Sequence, residues 1–501
     1  MAVKPVYENF CVCEKKIEKI KQLKIECKTD LLTDEIKKVL CVEVFLGKTD
    51  SSVSGGNLKY SGNALFTVIY TDANGETRKT ECGVEYSDTV PTERKDNDRV
   101  SVSVTEEKCG ADSVGARLIV FAYVSVETSV CSNSEVGYLT DGEDIVTDKK
   151  EETVVRNYGV KNCSFPIEEQ FSVAFPIKEV LFQKARAVVT AVQCGVGTII
   201  VDGEVFVAAL LLQNNEKRDI IKEEKIIPFR VEIEYEEAMP AMRAVATVKE
   251  KSFKTDVTVD EERGESTIAL SLLLYFDGEA FSEESVSVVK DLFSTTEELS
   301  AEYGNCEFIK PMEVRTCRER ISGRAAANIP DGARILAIGC ERADITSFKA
   351  KDDGMSLVGV LTMKAFFADA DGAEFSITVE SPFETETDCV LPECCNVRLK
   401  VNAVNGGARI VSSDEIETGA ELIITVYADE KCAFRYVKDV KSLGEKKHND
   451  SAISVYIPRE GEELWSLAKR LSVCPENLLS SNKELQFPLT GKERIVVYRQ
   501  N

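Results

Sequence analysis

One pattern occurs three times in the chain, as SGNALFTVIYTDANGE (61–76), DGEVFVAALLLQNNEK (202–217) and VGVLTMKAFFADADGA (358–373). In each copy a glycine opens an apolar run, a turn follows thirteen residues later, and an aromatic residue stands 24 or 26 positions after the glycine. The glycine and aromatic pairs are Gly62 and Tyr86, Gly203 and Phe229, and Gly359 and Phe383. Because the glycines are 141 and 156 residues apart, the repeating unit has the size of a domain and not of a solenoid repeat.

Alternating apolar and polar residues follow each copy, which predicts strands with one face on a core and one in water. The clearest runs are RVSVSV (99–104), RAVATV (243–248) and VRLKVNAV (397–404). Turn signals at 72–75 and 369–372 favour hairpins and antiparallel sheets. We therefore predict a mainly β fold with three tandem antiparallel modules of the β-sandwich or barrel-like type. Apolar spacing predicts short helices only at 14–23 and 289–303 in this part of the chain.

Length and composition narrow the class of protein. The chain has 501 residues, with 62 Lys and Arg against 86 Asp and Glu and a formal net charge of −24. Apolar residues make up 43% of the chain, which excludes a disordered protein and lets about three to five domains bury their own cores. Nucleic-acid binding is disfavoured because it requires clustered Lys and Arg that displace counterions. Proteins or neutral glycans are the expected partners.

The cellular compartment is predicted from apolar runs and cysteines. The first 30 residues lack the apolar core of a secretory signal, and no run of 18 uncharged apolar residues occurs. We therefore expect a cytoplasmic protein without direct membrane insertion. The 17 cysteines are odd in number, and several lie in apolar strand patterns such as 39–44 and 335–340. Reduced thiols are expected in place of a disulfide framework.

The sequence offers few residues for metal binding or nucleophilic catalysis. The closest cysteine pairs are Cys11 with Cys13 and Cys394 with Cys395, and neither has a four-ligand zinc spacing. His448 is the single histidine and stands in a polar stretch, which argues against Ser-His-Asp and Cys-His catalysis. We therefore predict no metal and no catalytic residues of these types.

Asp369 and Asp371 are the carboxylate pair that most resembles a catalytic dyad or a Ca²⁺ site. They stand in a predicted hairpin turn, where Asp is favoured because its side chain bonds to nearby backbone amides. An EF-hand loop would need further oxygen ligands and a glutamate at its twelfth position. We predict a solvated turn, and for the whole chain no cofactor and no enzymatic activity.

The pattern changes after a polar linker at 441–452. Residues 453–499 are predicted to form strand, helix, helix and strand, with helical spacing in the first helix and Pro475 in the first turn of the second. This stretch resembles the LysM family. The matching residues are Gly461, Leu464, Trp465, Leu467, Ala468, Val473, Leu478, Asn482, Gly491 and Ile495. Trp465 is expected on a packed face, since its helical spacing already assigns it there.

The LysM resemblance implies a small βααβ domain with a shallow glycan groove between two loops. The corresponding residues are Gly461, Glu462, Glu463, Leu464, Leu485, Gln486, Phe487 and Pro488. The Asp-Thr of the family is replaced here by Glu462-Glu463, which removes a small hydroxyl helix cap, and the second loop is shorter. A protein ligand is therefore as consistent with this groove as a peptidoglycan-type glycan.

The three repeats followed by a LysM tail resemble the SPOCS-domain spore-coat morphogenetic proteins of clostridia. Along this chain the predicted division is three SPOCS-type modules at 1–160, 161–302 and 303–440, the linker at 441–452 and the LysM domain at 453–499. The resemblance implies a non-enzymatic scaffold for spore-coat assembly, made in the mother-cell cytoplasm of a sporulating Firmicute and recruited to the forespore surface. Its LysM domain would dock on the coat basement-layer ATPase, stage IV sporulation protein A, with other coat proteins as further partners. The alternative is a LysM protein that binds peptidoglycan or cortex.

Overall fold

The computed structural model describes residues 3–30, 35–92, 99–114, 116–215, 219–390, 395–446 and 453–498. Within these ranges the fold is mainly β, as predicted, and both helices lie in the C-terminal stretch. Below, the body means residues 3–446 and the tail means residues 453–498. His448 and Cys394, two residues considered for catalysis and metal binding, lie outside the described residues.

The body contains three consecutive sets of strands, called units 1, 2 and 3. Unit 1 comprises β1 (Lys4–Lys28), β2 (Ile36–Leu46), β3 (Asp50–Ser54), β4 (Asn57–Asp72), β5 (Thr77–Pro91), β6 (Arg99–Val114) and β7 (Arg117–Glu143). Unit 2 comprises β8 (Val146–Val173), β9 (Ile177–Cys194), β10 (Thr198–Gln213), β11 (Ile220–Glu234), β12 (Arg243–Asp260) and β13 (Glu265–Phe293). Unit 3 comprises β14 (Glu297–Ala326), β15 (Arg334–Lys351), β16 (Gly354–Ala368), β17 (Glu374–Thr387), β18 (Cys395–Ser412) and β19 (Glu415–Glu445).

The same strand order recurs in all three units. Each unit has one antiparallel sheet of its first, last and penultimate strands, in the orders β1-β7-β6, β8-β13-β12 and β14-β19-β18. Each also has a second antiparallel sheet, with the orders β2-β4-β5, β9-β10-β11 and β15-β16-β17, and β3 adds to the first of these. As sets of strands, units 2 and 3 begin at Val146 and Glu297, and the domain boundaries at 160/161 and 302/303 stay predictions.

The repeated glycine and aromatic residues stand directly opposite each other on neighbouring strands. The opposed pairs are Gly62 with Tyr86, Gly203 with Phe229, and Gly359 with Phe383. A methyl group added at Gly203 would overlap the ring of Phe229 and the carbonyl oxygen of Val188. The ring therefore covers the glycine, and the spacing of 24 or 26 residues reflects one hairpin that brings the two residues together in every copy.

Replacing Gly203 with alanine should destabilise unit 2 by about 1–3 kcal/mol, because the added methyl group overpacks against a ring and a backbone carbonyl. Far-UV circular dichroism during urea unfolding measures the change. Gly83→Ala is the matched control, since the nearest atom to its added methyl group is 3.9 Å away. Equal effects of the two substitutions would contradict the proposed role of the glycine.

Each unit has its own apolar core, and a further core is shared by all three. The shared cluster includes the residue seven positions after each repeated glycine, namely Ile69, Leu210 and Phe366, each about 1% exposed. Their cross-strand partners Cys41, Phe182 and Ala337 belong to the same cluster. The central apolar run of each repeat therefore faces two cores, one inside its unit and one between the units.

Three aspartates near the ends of the last strands connect the units in a cycle. Asp141, Asp291 and Asp439 each accept a hydrogen bond from the amide of the following residue. Tyr7 of unit 1 donates to Asp439 of unit 3 at 2.5 Å. Tyr303 of unit 3 donates to Asp291 of unit 2 at 3.2 Å, and Lys149 of unit 2 donates to Asp141 of unit 1 at 3.0 Å. Each unit thus contacts both of the others.

The two helices predicted in the body are wrong. Residues 14–23 lie within β1, which pairs with β7 along nearly its whole length, so strand pairing overrides the helical spacing. Residues 289–303 include the end of β13 and the start of β14. Between these strands the hydroxyl of Ser294 accepts hydrogen bonds from the amides of Thr296 and Glu297, both at 3.1 Å. This local turn ends one strand and begins the next.

The cysteine prediction needs a correction in unit 1. Cys27 on β1 and Cys82 on β5 form a disulfide, although reduced thiols were expected throughout. The two residues are 55 positions apart in the sequence and stand on strands of different sheets. Their approach follows from the packing of these sheets and has no signature in local sequence spacing.

Candidate functional site

The tail forms a small unit with the order β20 (Ile453–Tyr456), α1 (Leu464–Leu471), α2 (Pro475–Ser481) and β21 (Ile495–Tyr498), and the two strands are antiparallel. The side chain of Asn482 links the end of α2 to β21, because it donates to the carbonyls of Leu478 and Val496 and accepts from the amide of Val496. The buried core of the tail is Leu467, Ala468, Leu471, Leu478, Leu489, Ile495 and Val497.

The loops before α1 and after α2 lie side by side, joined by two backbone hydrogen bonds. The amide of Gly461 donates to the carbonyl of Leu489 at 2.8 Å, and the amide of Leu489 donates to the carbonyl of Glu462 at 3.0 Å. All eight residues assigned to the groove are on these loops or at the start of α1. The exposed ones are Gly461, Glu463, Gln486 and Pro488, and the partly buried ones are Glu462, Leu464, Leu485 and Phe487. The last three pack against the core of the tail.

Glu462 has a structural role in the groove. Its carboxylate accepts two hydrogen bonds from the guanidinium of Arg470, both at 2.8 Å, and one from the amide of Arg459 at 2.9 Å. The hydrogen bonds from Arg470 hold the pKa of Glu462 below its ordinary value, even though burial opposes ionisation. Glu463, at the start of α1, makes no side-chain cap, in agreement with the predicted loss of the hydroxyl cap. Glu463 and Gln486 are therefore the freer polar groups for a ligand.

Glu462→Gln should destabilise the tail by about 1–2 kcal/mol at pH 7, because a bidentate bond to a charged partner is lost at a partly exposed site. The folded pKa lies below the ordinary 4.5, so this stabilisation is present above that pH and is lost as the pH falls through the folded value. The difference between variant and wild type should therefore shrink and vanish as the pH falls below the ordinary pKa of 4.5 and through the lower folded value. Thermal melts followed by the fluorescence of Trp465 measure it, with the exposed Glu463→Gln as the control. A difference that persists in acid would contradict the assignment.

The outer face of the tail sheet is apolar and exposed, and it lies outside the predicted groove. Ile453 and Val455 of β20 are 58% and 60% exposed, and Tyr498, which pairs with Ile453 across the sheet, is 59% exposed. Ile457, just after β20, is 70% exposed. We call these four residues the outer apolar face. The sequence indicates this face through ISVYI (453–457). Ile453, Val455 and Ile457 alternate there with Ser454 and Tyr456, so a short strand has apolar residues on both of its sides.

Helix α1 attaches the tail to unit 2 of the body. The indole nitrogen of Trp465 donates to Asp291 at 2.8 Å, and the ammonium of Lys469 donates to the same carboxylate at 2.5 Å. The ring of Trp465 packs edge-on against Phe293, with centroids 5.2 Å apart. Trp465 is therefore a packing residue, as predicted, but part of its packing is on the body. Asp291 and Phe293 were missed because their segment was assigned to a helix.

The acidic turn in unit 3 is confirmed as a turn. One carboxylate oxygen of Asp369 accepts hydrogen bonds from the amides of Asp371 at 3.0 Å and Ala373 at 2.8 Å. Asp72 makes the same two bonds in unit 1, to Asn74 and Glu76. In both turns one carboxylate oxygen therefore binds two backbone amides, which is the local hydrogen bonding that favours Asp in a turn. Over the described part of the chain, no group of three or more His, Cys, Asp or Glu side chains is placed to hold a metal ion.

Comparisons with protein-family models, with curated proteins and with solved structures found no match to this chain. Neither described helix has the length and apolar character needed to cross a membrane.

Proposed function

We propose that this chain is a non-enzymatic assembly scaffold of the SPOCS and LysM spore-coat type, located in the mother-cell cytoplasm at the forespore surface. Its three units would be tandem modules of one kind, and its tail a LysM domain that docks on the coat basement-layer ATPase. The observation that carries this proposal is the outer apolar face, which exposes four large apolar side chains next to one another at the end of a folded chain. Exposed apolar patches are typical of surfaces that bind proteins.

Charge also favours a protein partner for the tail. Residues 453–498 contain six acidic and six basic residues, whereas the whole chain has a net charge of −24. The body therefore supplies the charge that keeps the free chain soluble, while the tail can approach another surface without net repulsion. Several binding surfaces on one chain raise the effective concentration of each, so a scaffold can bind firmly through individually weak contacts.

The test is co-purification of coat proteins from sporulating cells with full-length variants. Val455→Glu with Ile457→Glu disrupts the outer apolar face, and Glu463→Lys with Gln486→Lys changes the groove without touching the ion pair of Glu462. Val196→Glu, at a residue of the body that is 76% exposed, is the matched control. We expect the outer-face variant to lose the ATPase and the control to retain it. Unchanged recovery of all coat proteins with every variant and with a chain lacking the tail would refute the tail as the docking element.

The alternative function, binding of peptidoglycan or cortex, is tested with the same variants in a glycan-binding experiment. Retention of the wild-type chain on peptidoglycan or chitin oligomers, with loss in the Glu463→Lys and Gln486→Lys variant alone, would favour a glycan ligand at the groove. The outer-face variant should then bind glycan normally, since neither of its substitutions is at one of the eight groove residues.

A further inference from the structure

We propose that Cys41 and Cys340 form a disulfide that covalently closes the cycle of units between unit 1 and unit 3. Their Sγ atoms are 2.9 Å apart, and the residues are separated by 299 positions in the sequence. This site is distinct from Cys27–Cys82, which lies within unit 1. It is also independent of the proposed function, since it concerns the body alone.

The two thiols meet at the junction of the units. Cys41 is on β2 and Cys340 is on β15, and they are 3% and 9% exposed. Both belong to the shared apolar cluster, where Leu40 and Ile69 of unit 1 lie with Phe366 of unit 3. A disulfide has an S–S distance of about 2.05 Å, so bond formation requires the sulfurs to approach by about 0.9 Å. The proposal requires this movement from rotation of the two cysteine side chains.

The backbone at Cys340 supports a specific role for its thiol. Cys340 has φ +58°, in the left-handed region that side-chain-bearing residues rarely adopt. The pairing of β15 with β16 also loses its regular register between Gly339 and Arg342. Glycine would adopt this conformation more easily, so a cysteine here indicates that the side chain is used. The irregular segment brings its thiol out of the sheet pairing and against unit 1.

The oxidation is a thiol–disulfide exchange with a small-molecule disulfide such as oxidised glutathione. The thiolate of one cysteine attacks the oxidant, which releases its first thiolate and leaves a mixed disulfide. The thiolate of the second cysteine then displaces the remaining half. Two protein thiols are oxidised, one small disulfide is reduced to two thiols, and the protons pass to those thiols. The hydrogen bond to Cys41 and burial both raise the pKa of Cys340, so exchange is slow until the units separate transiently.

Peptide mapping of the full-length protein tests the proposal without any substitution. The chain is equilibrated with graded ratios of oxidised to reduced glutathione, blocked with N-ethylmaleimide, unfolded, digested and analysed by mass spectrometry. We expect the peptide of Cys41 to be linked to that of Cys340 at least tenfold more often than to any other. The Cys27–Cys82 peptide reports whether the conditions oxidise the protein. Alkylated Cys41 and Cys340 in samples where that peptide is oxidised, or a link from Cys41 to the neighbouring Cys109, would overturn the proposal.

Non-reducing electrophoresis gives a second and independent readout. A disulfide that closes a loop of this length keeps the denatured chain compact, so the oxidised protein should migrate faster than the reduced protein. The Cys27–Cys82 disulfide closes a shorter loop, with a sequence separation of 55, in every variant, so the oxidised proteins are compared with one another. Oxidised Cys340→Ser should migrate more slowly than the oxidised wild type, and oxidised Cys194→Ser, at a half-buried cysteine of unit 2, should migrate like the wild type. Oxidised Cys340→Ser that migrates as fast as the oxidised wild type would contradict the assignment.

Discussion

Phe366→Ala should lower the free energy of unfolding of the body by about 3–5 kcal/mol, the range for deletion of a buried phenylalanine ring. Phe366 is about 1% exposed and lies in the core shared by all three units. Removal of the ring leaves a cavity between the units and also reduces the buried apolar area. Urea unfolding followed by far-UV circular dichroism measures the change. A second, earlier transition would show that the units then unfold separately.

Phe348→Ala is the control for this prediction. Phe348 is on the same pair of strands but is 42% exposed, so its removal should cost less than about 1 kcal/mol. If the two substitutions had equal effects, or if Phe366→Ala left the midpoint unchanged, the shared cluster would not be a principal source of stability.

Asp291→Ala should release the tail from the body. This carboxylate accepts hydrogen bonds from Trp465, Lys469 and Tyr303, and its removal leaves the donors of a half-buried site without their acceptor. Burial opposes its ionisation, but the hydrogen bonds from Lys469 and Trp465 outweigh that effect and keep the pKa of Asp291 below its ordinary value. The expected loss of docking free energy is about 2–4 kcal/mol. Because Trp465 is the single tryptophan, a red shift of its fluorescence and greater quenching by acrylamide report the release.

Asp439→Ala is a matched control for the release of the tail. Asp439 occupies the corresponding position of unit 3, accepts the amide of the next residue in the same way, and bonds to Tyr7 instead of the tail. The Asp439→Ala substitution should leave the fluorescence of Trp465 unchanged. A red shift in both variants would mean that the signal reports loosening of the body, and a red shift in neither would mean that Asp291 does not hold the tail.

The hairpins could be predicted from the sequence because their determinants are local. Gly203 and Phe229 stand at a spacing that one turn brings into register, and the alternating residues between them define which face is buried. The order of elements in the tail was predicted for the same reason, since Pro475 and the helical spacing around Leu467 act over a few residues. The turn at Asp369 likewise depends only on the next four residues.

Contacts between distant parts of the chain were not predictable. Asp291 and Trp465 are 174 positions apart, and Cys41 and Cys340 are 299 apart, so no spacing rule connects them. The helix assigned to 289–303 failed because a serine turn and two long strand pairings outweigh a weak apolar period. Asp141, Asp291 and Asp439 stand 79, 88 and 80 residues after the repeated glycines, so a comparison of the repeats at one fixed spacing would not have marked Asp291 either.

The cyclic contact of unit 1 with unit 3 has a consequence for synthesis on the ribosome. Ile69 emerges early, but Phe366, with which it shares a core, follows 297 residues later. At ordinary translation rates this delay is roughly 15–60 s, during which the apolar flank of the nascent first unit has no partner from the third. We therefore expect chaperone binding, or premature association between neighbouring nascent chains, during this interval. A slowly translated message would prolong the interval.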